Sequence, residues 1–232
     1  MSKRQKIKKL NNKGSAIITV IVLVTFVSIL ATTILYAAGM NYYMKATDVK
    51  TKESFYDAEL ALEAIMQDLI EMSDEAAREA YLDTMIHYAV ADSATREYNY
   101  QIKFFAILQQ KWVEKTTNPL DPTTPLAASE VLQAIADTAY PGAVAPTITS
   151  TAAGITVNPS GTAVLSGVEL VYTDANGYTT QISTDYIFML PDMDWSVDSA
   201  KTAWDSADDA TALENKEVEM TEYVKYYNWT KK

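Results

Sequence analysis

No charged side chain occurs from Ser15 to Met44, a run of 30 residues. About 20 apolar residues suffice to cross a bilayer as a helix, so this run must be hidden in lipid or in other protein. It begins abruptly. A basic leader containing Lys3, Arg4, Lys6, Lys8, Lys9 and Lys13 ends at Gly14, and the apolar residues follow at once. Positive charge on one flank orients such a segment with the leader in the cytoplasm and the rest of the chain outside. Phe26 lies mid-run, and Tyr36, Tyr42 and Tyr43 gather at the far end, where an aromatic belt would meet the membrane interface.

Three fates of this segment are consistent with its composition. A cleaved secretory signal needs an apolar stretch of only about 7–15 residues and a small-x-small site. This run is longer, and Tyr36 is too bulky for the position three before a cut beyond Ala38. A plain membrane anchor meets every physical requirement. A third fate also explains the Lys-Gly junction: a cytoplasmic-side cut after Gly14 would make Ser15 the new N-terminus and leave the apolar helix in place.

The stretch "NNKGSAIITVIVLVTFVSILATTIL" (11–35) resembles the class III leader and N-terminal helix of type IV pilins and type II secretion pseudopilins. The segment that follows, "MKATDVKTKESFYDAELALEAI" (44–65), is similar to that of PilX-like minor pilins through Phe55, Ala58, Glu59, Ala61 and Leu62. The resemblance covers residues 8 to 70. It implies removal of the leader by a prepilin peptidase, membrane residence, an inner assembly platform, and packing with other pilins through the N-terminal helix. Gly14 and Ser15 then define the processing site, and Thr19, Phe26, Phe55, Leu62, Ile65 and Leu69 are the assembly residues. Two positions depart from the family. Most major pilins carry a glutamate where Thr19 stands, and Ser15 replaces a commoner phenylalanine. Thr19 supplies no charge to a neighbouring N-terminus but would return its hydroxyl to a helix carbonyl. GspK-like tip subunits share this lack of a glutamate, which points to a minor, tip or priming subunit.

Beyond Met44 the pattern becomes one-sided. Phe55, Ala58, Leu62, Ile65, Leu69 and Met72 recur at steps of three and four, the spacing of an amphipathic helix. No proline interrupts Ser15 to Met72, which predicts one helix roughly 87 Å long at 1.5 Å per residue. Gly39 would allow a bend. The stripe is too short for a coiled-coil stalk and calls for a globular partner. Ser73 and Asp74 are placed to cap a separate following helix.

The remainder reads as the head. Alternation of Tyr98, Tyr100, Ile102 and Phe104 predicts a strand over 97–107, with a helix through Gln109 as the alternative. Three prolines mark 116–129 as a loop. A short helix over 129–139 would be capped by Ser129, and weak strands around "GITVN" would follow. Asn176-Gly177 between two alternating runs predicts a β-hairpin. A C-terminal strand has Val218, Met220, Val224 and Tyr226 as core candidates. The expected fold is α+β: a long helix whose second half lies on a mainly antiparallel sheet. The expected organisation is a leader over 1–14, a transmembrane or filament-core helix over 15–44, an amphipathic continuation over 45–72 and an extracellular head over 73–232.

Composition narrows the chemistry. Six of the 19 basic residues fall in the first 13 positions, leaving 13 basic against 30 acidic side chains in the rest. Such a head repels nucleic acid. The chain has no cysteine and one histidine, His87, so thiolate sites, disulfides and multi-histidine metal centres are excluded, and His87 is read as a surface or packing residue. Asp192, Asp194 and Asp198 are spaced as in a calcium loop, but Val197 and Ala203 stand where an EF-hand needs glycine and glutamate. A looser calcium site there competes with a solvated acidic loop. No nucleotide or hydrolase motif occurs, no cofactor is implied, and the chain is read as a non-enzyme. "NWT" at Asn228 matches a glycan acceptor by pattern only. The rival to the pilin reading is an anchored adhesion or signalling module that never polymerises.

Overall fold

Between Met40 and Asn118 the chain holds neither glycine nor proline, and helix α1 runs without a break from Asn12 to Ile86. The computed structural model describes residues 12–86, 91–140, 145–151, 154–175, 177–196 and 220–231. The chain divides into two compact units, Met1–Lys50 and Thr51–Lys232. In the first, the described part is helix, with its side chains from Ala16 to Lys45 all exposed.

The second unit starts within α1. Ala58, Ala61, Leu62, Ile65, Leu69 and Met72 are buried, and the same stripe continues through Ala76, Ala80, Tyr81 and Met85. That continuation corrects the expected helix break at Met72. Ser73 is itself buried inside α1 and caps nothing, because a capping residue stops a helix only where the chain gains by turning away from it. The boundary expected between 72 and 73 therefore falls mid-helix.

Helix α2 spans Ser93–Thr116, and the Asp92 side chain accepts the Thr95 amide at 2.8 Å to cap it. This overturns the strand expected over 97–107 in favour of the alternative. Tyr100, Phe104, Leu108 and Trp112 recur every fourth residue and are all buried, while Tyr98 and Ile102 are exposed. The deciding period was therefore 3.6, not 2. Three lysines tie α2 to α1: Lys103 to Asp83 at 3.1 Å, Lys111 to Glu79 at 2.7 Å and Glu75 at 3.1 Å, and Lys115 to Asp68 at 2.9 Å. As the lysine number rises its partner's number falls, so the two helices are antiparallel. Partial burial works against the charge on Lys111, but the hydrogen bonds it donates to Glu79 and Glu75 outweigh that and raise its pKa.

The proline-rich stretch is a loop, as expected. Helix α3, Ala128–Thr138, begins earlier than anticipated. Its start is stabilised not by Ser129 but by Glu130, whose carboxylate accepts the Ala127 amide at 2.8 Å. Strands β1 (Thr147–Ser150) and β2 (Ile155–Asn158) both lie along one edge of β3 (Thr162–Thr173). The predicted hairpin joins β3 to β4 (Thr179–Met189). Its turn is closed by Gly177 N–H to the Asp174 carbonyl at 3.0 Å, with Gly177 at φ +84°. Asn176 lies outside the described residues. After a single 3₁₀ turn, Met220–Glu222, strand β5 (Val224–Lys231) pairs with β4. The order is β1-β3-β4-β5 with every pairing antiparallel, so the fold is α+β.

Of the C-terminal core candidates, Met220 and Val224 are buried. Tyr226 is corrected to a partly exposed position, 39% accessible, and Val218 lies outside the described residues. The sheet's inner face is built by Ala163, Leu165, Val168, Leu170, Ile182, Tyr186 and Phe188. Tyr186 donates its hydroxyl to the Leu62 carbonyl at 3.2 Å, joining sheet to helix.

Candidate functional site

The feature that sets this chain apart is the bare half of α1. It is the one described helix long and apolar enough to cross a membrane, and none of its apolar window is buried inside the chain. An exposed apolar surface of this extent is costly in water. Its polar atoms are largely dealt with locally. The hydroxyls of Thr25, Ser28, Thr32 and Thr33 donate to the carbonyls of Ile21, Val24, Ser28 and Ile29 at 2.7–2.8 Å. Each returns to the carbonyl one turn earlier, which removes an unmet donor from the surface. The helix therefore presents apolar side chains all round and few groups that demand water.

Gly14 and Ser15, the pair expected to be the processing site, fall in the first turn of α1. A protease acting there on the uncut chain must engage helical backbone, and a glycine at that point weakens the turn. Thr19 and Phe26 lie on the bare helix, Phe26 with 61% of its surface exposed. Gly39 lies within the same uninterrupted helix, and a Cβ there would meet nothing within 4 Å.

The other assembly candidates lie in the second unit. Leu62, Ile65 and Leu69 are buried in its core. Phe55 is half-buried at the margin of that core, with the Trp229 ring edge-on at 6.1 Å and the Lys231 ammonium 4.4 Å from its ring centre. The sequence alone brought Phe55 to notice but not these partners. They come from the far end of the chain, and no local spacing announces them.

Asp192 and Asp194 lie in the extended segment after β4. Asp194 accepts the Ser196 amide at 2.9 Å and the Ser196 hydroxyl at 3.3 Å, a local turn. Asp198 and His87 lie outside the described residues. Among the described residues no group of three or more acidic or histidine side chains is placed to hold a metal. Asn228 is engaged through its side chain, which donates to Asp185 at 2.9 Å.

No protein-family model matches the chain, and no curated protein or solved structure matches it significantly. The functional reading therefore rests on the residues and their placement.

Proposed function

We propose that this chain is a minor subunit of a type IV pilus or a related pseudopilus. A prepilin peptidase cuts it after Gly14, and the subunit assembles through its N-terminal helix with other pilins. The observation that supports this most is the character of α1 itself. One unbroken helix is apolar and uncovered over its first half, and carries the buried core stripe of the second unit over its continuation. The uncovered half suits two environments in turn, a lipid bilayer before assembly and a bundle of equivalent helices after it. Both remove its apolar area from water at about 25 cal/mol per Å². The subunit is thus held by the membrane with its N-terminus in the cytoplasm and is later displayed at the cell surface. The absence of a carboxylate at Thr19 favours a place at the start or tip of the filament, where no pairing with a neighbour's N-terminal ammonium is required. No catalytic step, metal or cofactor is assigned to it.

The test is the N-terminus of the mature protein. Mass spectrometry of the chain from membranes and from sheared surface filaments should find Ser15 first. Gly14→Leu should leave the leader attached and keep the chain out of filaments. A mature chain that retains the leader, with no change on Gly14→Leu, would instead identify a permanently anchored adhesion or signalling module.

A further inference from the structure

Tyr98 and Ile102, two of the residues that gave α2 its strand-like alternation, lie one turn apart on its solvent side. With the nearly buried Phe105, and with Val157 and Pro159 from β2 and the turn after it, they wall a groove of about 510 Å³. Small-ligand sites have volumes of about 300–1,000 Å³. The polar part of the lining is three side-chain amides, Gln101, Gln109 and Asn158.

Two of these amides are anchored. Gln109 Nε2 donates to the Ile155 carbonyl at 2.9 Å, and Asn158 Nδ2 donates to Thr162 Oγ1 at 3.3 Å. An amide side chain has two N–H donors and an oxygen that accepts, so each keeps one N–H and its carbonyl oxygen for a ligand. The third, Gln101, lies against Gly161, where an added Cβ would come within 2.8 Å of its Nε2. Gly161 has φ +78°. Glycine there both permits the turn and leaves room for the Gln101 amide.

No charged side chain lines the groove, on a chain of net charge −11. The chain as a whole repels an anionic ligand, and a cationic one finds no carboxylate in the groove to pair with. A purely apolar ligand would cover the amides and leave their donors and acceptors unmet, which costs their desolvation. The ligand that satisfies the whole lining is neutral, has an apolar face and carries adjacent groups that both donate and accept. Sugars meet all three conditions: each hydroxyl donates and accepts, and the C–H face of a sugar ring packs on an aromatic ring such as Tyr98. We infer that this groove binds a neutral carbohydrate. Gln101, Gln109 and Asn158 pair with its hydroxyls, and Tyr98 and Ile102 cover its apolar face. Gln101 and Gln109 are about 12 Å apart along α2 at 1.5 Å per residue, a span that suits more than one sugar ring. Two amides are ordered before the ligand arrives, which lowers the entropy lost on binding. The site lies wholly within the second unit and does not rest on the filament reading.

The full-length protein, in micelles of a zwitterionic detergent that contains no sugar, is titrated with cellobiose, maltose, lactose and chitobiose and read by saturation-transfer NMR. At least one should bind saturably. Its dissociation constant should rise about tenfold in Gln101→Ala and in Tyr98→Ala, the loss of one hydrogen-bonding group or one ring face. Neither side chain belongs to the core, so the denaturant midpoint of both variants should stay in place. Cellobiouronic acid, the acidic counterpart of cellobiose, should bind more weakly than cellobiose. Absence of saturable binding by all four sugars, or binding that ignores both substitutions, would overturn the assignment. So would preference for an uncharged alanine–serine peptide over every sugar, which would make the groove a peptide site.

Discussion

Asp185 accepts the Gly167 amide on its Oδ1 at 2.7 Å, from the middle of β4 to a bulge in β3. Its Oδ2 accepts the Asn228 side-chain amide at 2.9 Å, at a second bulge in β5. One carboxylate thus holds an irregularity on each side of the central strand. The bulges change which residues face the core. On β3 the buried positions pass from Ala163 and Leu165 to Val168 and Leu170, a change of parity across Gly167. On β5 the change at Asn228 follows Tyr226, whose ring packs tilted against that of Tyr186 with centroids 5.5 Å apart, and turns Trp229 toward Phe55. Asp185→Ala should therefore lower stability by about 1–3 kcal/mol, the cost of leaving a donor without its acceptor, as read from the denaturant midpoint. A loss below a few tenths would show that the bulges hold without it.

Gly167 should tolerate no side chain. Its φ is +71°, and a Cβ would lie 2.2 Å from Thr151 Oγ1. Gly167→Ala should cost about 1–3 kcal/mol, and adding Thr151→Gly should recover the steric part but not the backbone part.

Asn228 has φ +53°, which asparagine accepts and a β-branched residue resists. Asn228→Val should both destabilise the chain and change the emission of Trp229, while Asn228→Gly should lose only the side-chain bond. Equal effects from the two substitutions would refute a role for backbone conformation. The engaged side chain also predicts that mass spectrometry finds Asn228 unglycosylated.

The two units should respond differently to truncation. Leu62→Ala and Ile65→Ala each remove a fully buried side chain and should cost about 2–5 kcal/mol. Phe26→Ala, on the bare helix, should leave unfolding of the second unit within about 0.5 kcal/mol. It should act on filament incorporation, scored by immunogold labelling.

Alkaline pH should weaken the second unit. Burial pushes Tyr140 and Tyr226 up to about 12, helped by Asp57 near the first and by Glu63 and Glu59 near the second. Burial raises Tyr186 well above its usual value, with Tyr226 adding to it. A raised folded-state pKa means the unfolded chain releases its proton first. The stabilisation is complete below about pH 10 and is lost as pH climbs through the folded values. The denaturant midpoint should hold steady to about pH 9 and then fall, less steeply in Tyr186→Phe. A midpoint that rises above pH 10 would contradict the sign.

Much of the architecture was readable locally. Uniform lack of charge marked the apolar helix, and steps of three and four marked its core stripe. The Asn176-Gly177 signal, flanked by alternating runs, marked the β3–β4 hairpin. Where local patterns competed, reading failed. The segment from Tyr98 to Phe104 carries both a period of two and a period of four, and only the positions actually buried distinguish them. The Ser73-Asp74 cap signal was outweighed by a core stripe that continued past it. The bulge at Gly167 was not anticipated, and nothing near Ser166-Gly167 in the sequence names Asp185 as its holder.

Residue order alone decides that one half of α1 must be hidden from water and that its continuation must lie on a core, because both follow from side-chain periodicity along a single helix. Which carboxylate meets which lysine, which strand bulges, and which aromatic ring covers Phe55 were decided only by tertiary packing. Those pairs are far apart in the chain, and their energies exist only once the helix and sheet have already come together.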